Sequence, residues 1–222
     1  MGYIEIDKTG GDLSEAINTE FKKIGSNLRA KKMDLPLTNT RIEANNKFSQ
    51  IYGVANATLY TSDYWRNGAI LAKGNTDNLS LIAQSVDYWI CNDITTKELA
   101  AKFPFIYPNK QSEAFDTGNE VLYAWNRLYE WNDKLRKVIE IILKDDTLSK
   151  LFPYTSIGRL CFSRCTGYPY TYDIPDITPV YNEIDKYIVH DPDGNILGEG
   201  NAQQVVSIVK AAFIENEKYL NR

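Results

Sequence analysis

LFPYTSIGRLCFSRCTGYPYTY, residues 151–172, is the stretch in which a helical part of the chain gives way to strands and turns. Pro153 predicts the end of a preceding helix, because proline lacks an N–H and disfavours helical geometry at the residue before it. Residues 159–164 then alternate, with Leu160 and Phe162 on one side, which predicts a half-buried strand. Glycine, prolines and tyrosines in residues 166–179 predict a rigid, tyrosine-rich loop.

The region before this stretch has apolar residues at helical spacing. Thr76 or Asp77 is predicted to cap a helix that ends near Asn92, and Thr95 with Glu98 predicts a capping box for a short helix that ends at Phe103. One further helix is predicted by Val121, Leu122, Trp125, Leu128 and Tyr129, and another by Leu135, Val138, Ile139, Ile142, Leu143 and Leu148.

The N-terminal part combines one helix with strands. Residues 3–7 alternate as a short strand, and Asp12 is predicted to cap a helix whose apolar face runs to Leu28. The basic residues 29–32 would lie at its C-terminal end, where cations complement the helix dipole. Residues 34–40 predict a connector. Residues 41–73 predict two or three antiparallel strands, with turns near residues 54–57 and at Asn67-Gly68.

The C-terminal part predicts a hairpin and a helix. The hairpin turn is Asp191-Pro192-Asp193-Gly194, and the last helix begins at Asn201. Strands at both ends and helices between them predict an α+β fold, in which one antiparallel sheet from the N- and C-terminal parts is covered by the central helices. We expect a single domain, residues 1–222, with parts at 1–74, 75–151 and 152–222.

Composition narrows the class of protein. The 222 residues are 43% hydrophobic and 24% charged, which is ordinary for a globular chain with an ample core. A net charge of −4 disfavours a nucleic-acid partner. The opening residues MGYIEIDKTGGD lack the basic and apolar regions of a signal peptide, and no apolar run approaches about 18 residues. We therefore expect a cytoplasmic protein that binds no membrane.

Three cysteines are a small and odd number, which does not suit a disulfide framework. Cys91, Cys161 and Cys165 fit a reducing compartment. On a regular strand, Cys161 and Cys165 would share a face with their Cα atoms roughly 13 Å apart, too far for a bridge. The sequence therefore predicts free thiols.

Residues that could carry catalysis are few. His190 is the single histidine, and its position at the end of a strand predicts a structural or surface role. With Asp191 and Asp193 it would offer too few ligands for a metal ion. Neither GxGxxG nor GxxxxGK[ST] occurs. We predict no catalytic residue, no metal site and no cofactor.

The central stretch offers the sharpest candidate for a binding surface. Arginine and tyrosine dominate the energetics of protein interfaces. The predicted partner-binding residues are Arg159, Ser163, Arg164, Tyr168, Tyr170 and Tyr172. The alternative is that the strand arginines pair with acidic neighbours and the tyrosines line the edge of the core.

Seven short blocks of the sequence resemble those of a known protein family. They are WRNGAILAKG (65–74), DYWI (87–90), ELAAKFPF (98–105), AW (124–125), LFPYTS (151–156), LCFS (160–163) and LGEGNA (197–202). Together they resemble an uncharacterised bacterial family with a domain of unknown function, whose members carry the label natural product biosynthesis protein. The likeness extends over residues 65–214. It implies no catalytic residue for this chain.

Two functions follow as expectations. The first is a non-catalytic protein that binds a protein partner, namely an immunity protein that neutralises a cognate bacterial toxin. An acidic chain suits a basic toxin domain. The alternative is an enzyme or accessory factor in natural-product biosynthesis, which requires a pocket with convergent polar groups. The candidates for that pocket are Arg159, Ser163, Arg164, Tyr170 and His190. Oligomeric state does not follow from the sequence.

Overall fold

The computed structural model describes residues 11–33, 39–53 and 59–220, with side chains described to Glu215. Two compact units make up the chain, Met1–Thr117 and Gly118–Arg222. The predicted helical part, residues 75–151, is shared between them, and the expectation of a single domain stays a prediction. The strand at 3–7, most of the connector at 34–40 and the turn near 54–57 lie outside the described residues.

Helix α1 (Leu13–Lys23) opens the described part of the first unit. Asp12 caps it as predicted, because its side chain accepts a hydrogen bond of 2.9 Å from the Ser14 amide. The prediction that the helix continues to Leu28 was wrong: it ends before Gly25, whose φ of +72° suits glycine and leaves helical geometry. The basic residues 29–32 are therefore not its last turn, and Lys22 and Lys23 occupy that place.

The strands of the first unit form one antiparallel meander. They are β1 (Lys31–Lys32), β2 (Asn39–Ala44), β3 (Lys47–Gly53), β4 (Tyr60–Arg66), β5 (Ala69–Thr76) and β6 (Ile106–Pro108). Each pairs with the next in chain order. Asn67 and Gly68 both have positive φ, which confirms the predicted hairpin turn. Residues 41–73 contain parts of four strands rather than two or three. In β4, buried Ser62 and Asp63 break the alternation of apolar and polar residues that would signal a strand.

The remaining helices of the first unit are α2 (Leu79–Cys91), α3 (Thr96–Lys102) and α4 (Ser112–Asp116). Asn78 caps α2, instead of the predicted Thr76 or Asp77, since its side chain accepts from the Leu81 amide. The capping box of Thr95 and Glu98 is confirmed. Helices α1 and α2 pack on the inner face of the sheet, and the core includes Leu13, Ile17, Phe21, Ile42, Ile51, Tyr60, Tyr64, Leu71, Ile82, Val86 and Trp89.

One buried cation ties the sheet to the end of α2. Lys47 is 6% exposed. Its Nζ donates to the carbonyl oxygens of Trp89 (3.2 Å) and Asn92 (2.7 Å) and lies 4.4 Å from the Trp89 ring centroid. Burial lowers the pKa of Lys47. The lysine satisfies carbonyls that a helix end leaves unpaired, so its role is structural.

The second unit begins with helices and ends with one. Its elements are α5 (Glu120–Trp131), α6 (Arg136–Ile142), a 3-10 turn (Leu148–Lys150), β7 (Phe152–Ser156), β8 (Arg159–Ser163), β9 (Asp176–Pro179), β10 (Tyr187–His190), β11 (Ile196–Gly200) and α7 (Ala202–Leu220). The antiparallel sheet has the order β11-β10-β9-β8-β7. The hairpin at Asp191-Gly194 is confirmed. The predicted start of the last helix at Asn201 is also confirmed, because the Asn201 side chain accepts a hydrogen bond of 3.0 Å from the Gln204 amide.

The central stretch differs from its prediction in two places. Pro153 lies inside β7 instead of ending a helix, and the helix predicted to reach Leu148 stops at Ile142. A proline is tolerated there because β7 is an edge strand. The predicted loop at 166–179 ends earlier, in β9. The sequence of β9 gives little indication of a strand, because it has one isoleucine, Ile177, and ends in a proline.

The α+β class is confirmed, with antiparallel sheets. The described strands form two sheets, one in each unit, where one sheet from both ends of the chain was expected. The reason is local pairing: each strand finds its partner in the strand next to it in sequence, so strands from the two ends do not need one another. Within the described ranges, no helix has both the length and the apolar character needed to cross a membrane.

Candidate partner-binding surface

The sheet of the second unit has one face in the core and one face outside it. Leu160 and Phe162 of β8 lie in the core with residues of α5, α6 and α7. Successive side chains of a strand point to opposite faces. The pairings Phe152 with Ser163, Tyr154 with Cys161 and Ser156 with Arg159 therefore place these six residues on the outer face.

A loop, residues 164–175, folds back over that face and stacks tyrosines on it. The Tyr170 ring lies 4.2 Å from Tyr154, at 17° between planes, and 5.9 Å from Phe152, at 22°. Tyr172 meets the edge of Tyr154 at 6.3 Å, and Tyr168 meets Tyr170 edge-on at the same distance. Offset and edge-to-face arrangements are the favoured ones for aromatic rings. We call these five residues the tyrosine surface.

Exposure separates the members of the tyrosine surface. Tyr168 is 76% exposed and Tyr172 is 66% exposed. Tyr154 and Tyr170 are half-buried beneath them. Burial is the largest cause that raises the pKa of both Tyr154 and Tyr170, so both phenols stay neutral at physiological pH. The two outer rings are thus presented on a neutral aromatic base.

Ser163 lies behind this surface rather than in it. The residue is 1% exposed. Its Oγ accepts hydrogen bonds from the amides of Cys165 (3.1 Å) and Thr171 (3.2 Å), and it lies 3.2 Å from the Cys165 thiol. A buried hydroxyl that accepts from two backbone amides fixes two points of the loop. Of the six predicted contact residues, Ser163 therefore supports the others and does not reach the solvent.

Both predicted arginines are paired with acidic side chains. Arg159 Nη1 lies 3.2 Å from Asp176 Oδ2, and Arg164 Nε lies 2.6 Å from Asp173 Oδ2. Burial acts to raise the pKa of Asp173, but hydrogen bonds from Arg164 and Thr171 outweigh it and the pKa is lowered. Exposed ion pairs add little stability. Their effect here is to orient the arginines beside the tyrosine surface, as the alternative interpretation of these residues predicted.

His190 belongs to the same face but not to a catalytic arrangement. Its Nδ1 lies 3.3 Å from Asp176 Oδ1 and 3.4 Å from Thr178 Oγ1. Cys161 also faces Asp176, and burial followed by this negative charge raises the pKa of the Cys161 thiol to about 11. A nucleophile–base pair needs the imidazole next to the thiol. Here the imidazole contacts the Asp176 carboxylate instead, and burial together with the negative charge of Asp176 keeps the Cys161 thiol protonated.

The residues proposed for a biosynthetic pocket do not share one set of partners. Ser163 holds the loop, Arg159 and His190 share Asp176, and Tyr170 lies in the aromatic stack. Across the described residues, no hydrogen bond joins Ser163 to His190, and no three His, Cys, Asp or Glu side chains group as metal ligands.

Sequence reasoning missed the base of the surface. Phe152 and Tyr154 support Tyr170, yet Pro153 between them suggested a helix end. The alternation of Phe152, Tyr154 and Ser156, followed by Gly158, was the sequence signal for a hairpin, and Ile157 and Gly158 have positive φ in its turn. The pairing of Arg164 with Asp173 had no sequence signal beyond the nearness of the two residues in the chain.

Comparison with known proteins gives one match. A family of unknown function, DUF6193, matches residues 120–213. No curated protein and no solved structure matches the chain. The matched residues include every helix and strand of the second unit at least in part, and with them the whole tyrosine surface. The second unit is therefore similar to a family whose function is unknown, and the resemblance noted for residues 65–119 has no counterpart in this match.

Proposed function

We propose that this chain is a non-catalytic protein-binding protein, and specifically a cytoplasmic immunity protein that neutralises a cognate bacterial toxin. The observation that carries the proposal is the pair of largely exposed tyrosines, Tyr168 and Tyr172, on a fixed aromatic base. Exposed rings that cluster into one patch mark interaction sites more often than single exposed rings do.

The tyrosine surface is held in place before any partner arrives. Two stacked rings and the hydrogen bonds of Ser163 fix the loop. A tyrosine offers a large contact area for only two rotatable bonds. Preorganisation of this kind strengthens binding, because less conformational freedom is lost when the complex forms. Arg159 and Arg164 lie beside this surface, and each is oriented by an aspartate.

The net charge of the chain supports a partner that is basic. The chain carries a net charge of −4. Opposite charge on a toxin domain would accelerate association and favour the correct partner. Neutralisation then needs no chemistry from this chain, because covering the active site of the toxin is enough.

The experiment begins by purifying the tagged protein from its host and identifying what co-purifies. The expected result is one stoichiometric protein with a toxic domain, whose effect on growth disappears when this chain is co-expressed. The affinity of that pair is then measured for the variant Tyr168→Ala/Tyr172→Ala. We expect a loss of roughly 100-fold, which corresponds to about 2–3 kcal/mol for two interface tyrosines.

Tyr181→Ala is the matched control, because Tyr181 is 77% exposed in a different loop of the same unit. Its affinity should stay within about twofold of the original protein. Equal affinity for the double variant would remove the tyrosine surface from the contact. Recovery of a tightly held small molecule without a protein partner would support the biosynthetic alternative instead.

A further inference from the structure

The edges of the two sheets differ in how they are protected. An open strand edge pairs readily with another chain, and proteins block this with charged residues such as lysine, with proline, with β-bulges or with very short strands. Strand β1 has two residues, both lysines, and β6 has three and ends in Pro108. Strand β7 contains Pro153. Strand β11, with the sequence ILGEG, contains no lysine, arginine or proline.

Strand β11 is also accessible. In the described part of the chain it pairs only with β10. Ile196 is 65% exposed and Leu197 is 43% exposed, although both are apolar. One β-bulge interrupts its pairing, between Val189 and His190 of the neighbouring strand. The bulge confines regular pairing with β10 to residues 198–200, and the whole strand has only five residues, so an added strand would pair over a short segment.

Helix α7 fixes β11 from its inner side. A Cβ added at Gly198 would lie 2.8 Å from the Ile208 side chain, and one added at Gly200 would lie 2.5 Å from the Gln204 side chain. The two glycines therefore allow the helix to pack closely against the strand. Because the strand is held this way, its outer edge stays extended and ready to pair.

The charges around β11 indicate what kind of strand would pair with it. Asp191, Asp193 and Glu199 lie in or beside β11, and no lysine or arginine occurs between Lys186 and Lys210. Among the residues that the structure describes, Asp193 and Glu199 form no ion pair. A second copy would bring the same carboxylates together, which is unfavourable. A strand with lysine or arginine would place opposite charges near them.

We propose that the outer edge of β11 accepts an extended, basic segment of a partner protein by β-strand addition. Main-chain hydrogen bonds would supply affinity, and the acidic neighbours would select positive side chains. Ile196 and Leu197 would be covered by the apolar side chains of the added strand. The edge of β11 is distinct from the tyrosine surface, so this proposal does not depend on the proposed role of that surface.

The test uses the full chain and two synthetic heptapeptides. One alternates lysine with valine, and the other has glutamate in place of lysine. We expect the basic peptide to bind and to slow amide hydrogen exchange at residues 196–200. The acidic peptide should bind at least about tenfold more weakly, because its charges meet Asp193 and Glu199. Equal binding of both peptides, or no slowing at residues 196–200, would overturn the proposal.

Two variants separate strand addition from general attraction between charges. Ile196→Lys places a positive charge on the edge and should weaken the basic peptide by roughly tenfold. Ile157→Lys makes the same chemical change in the β7–β8 turn, at a residue that is 99% exposed, and should leave binding unchanged. Equal losses in the two variants would contradict the proposal. So would a dimer of the native chain that Ile196→Lys dissociates, since the occupant would then be a second copy.

Discussion

A pair of tyrosines in the first unit and a pair in the second differ in burial. In the first unit, Tyr60 and Tyr64 of β4 are fully buried. The Tyr64 hydroxyl lies 3.0 Å from Ser62 Oγ and 2.7 Å from Ser85 Oγ, and burial raises its pKa to about 12. In the second unit, Tyr168 and Tyr172 are mostly exposed and contact other rings by their edges.

The difference comes from the backbone that carries each ring. Strand alternation directs Tyr60 and Tyr64 inward, where the hydroxyl of Tyr64 finds serine partners. A loop carries Tyr168 and Tyr172, and it is fixed by ring stacking and by Ser163. A buried tyrosine is explained by the core alone. An exposed one on a fixed support is not explained by the core, which is why the proposed function rests on the second unit.

Truncation of one tyrosine from each set gives the largest expected contrast. Tyr64→Ala should lower the free energy of unfolding by about 3–5 kcal/mol, because it leaves a cavity and removes one hydrogen-bond partner from each of Ser62 and Ser85. Tyr172→Ala should change it by less than about 0.5 kcal/mol. Urea denaturation followed by circular dichroism measures both. Similar losses would mean that Tyr172 also serves the core.

Removal of the hydroxyl alone tests the same contrast more finely. Tyr64→Phe keeps the ring but leaves buried Ser62 and Ser85 without one of their hydrogen-bond partners. We expect a loss of about 1–2 kcal/mol. Tyr168→Phe, at an exposed position, is the matched variant and should be close to neutral. If Tyr168→Phe were as unstable as Tyr64→Phe, the contrast between the exposed and the buried tyrosine would be wrong.

Ser163→Ala tests whether the loop is held as described. The change leaves the amides of Cys165 and Thr171 without their acceptor. We expect a loss of roughly 1 kcal/mol and faster amide hydrogen exchange at these two residues. Ser156→Ala is the control, because Ser156 lies on the same face beside the turn. Unchanged exchange at Thr171 would show that ring stacking alone holds the loop.

The smallest effects concern two carboxylates whose pKa values move in opposite directions. In the second unit, burial acts to raise the pKa of Asp145, but Lys210 and the amides of Leu148 and Thr147 outweigh it, and the pKa falls below 3.8. In the first unit, burial raises the pKa of Asp63 above 3.8, against the opposing charge of Lys73. Their contributions to stability therefore have opposite dependence on pH.

Asn substitutions measure these contributions across a pH series. Asp145→Asn should destabilise the protein by about 1 kcal/mol at pH 7, and the difference should vanish as the pH falls below about 3.8. The native Asp63 binds its proton more tightly when folded, so its contribution to stability falls as the pH rises above about 3.8. Asp63→Asn should therefore gain stability relative to the native protein over that range. Parallel pH profiles for the two variants would contradict this assignment.

Local signals in the sequence were enough for much of the fold. The capping box at Thr95, the Asn67-Gly68 turn and the cap at Asn201 each depend on a few neighbouring residues, and all three are confirmed. Predictions that depended on distant pairing were less complete. Nothing in the sequence shows that β1–β6 close among themselves, and β9 has too few apolar residues to be distinguished from a loop.

The candidate surface could be predicted in part for the same reason. Tyr168, Tyr170 and Tyr172 stand out as a cluster in the sequence, and the structure places them together. The burial of Ser163 required knowledge of how the loop folds back. So did the ring stack on Phe152 and Tyr154, which the loop reaches only after the β7–β8 hairpin has formed.

The stacked rings of Tyr154 and Tyr170 also give the molecule an optical reporter. Two aromatic transitions held 4.2 Å apart in a fixed, chiral arrangement couple and contribute to the near-ultraviolet circular dichroism. The loop then carries its own signal, without an attached dye. A partner that leaves the stack intact would preserve this contribution, whereas one that lifts the loop would abolish it. The spectrum therefore distinguishes docking on a preformed surface from binding that remodels it.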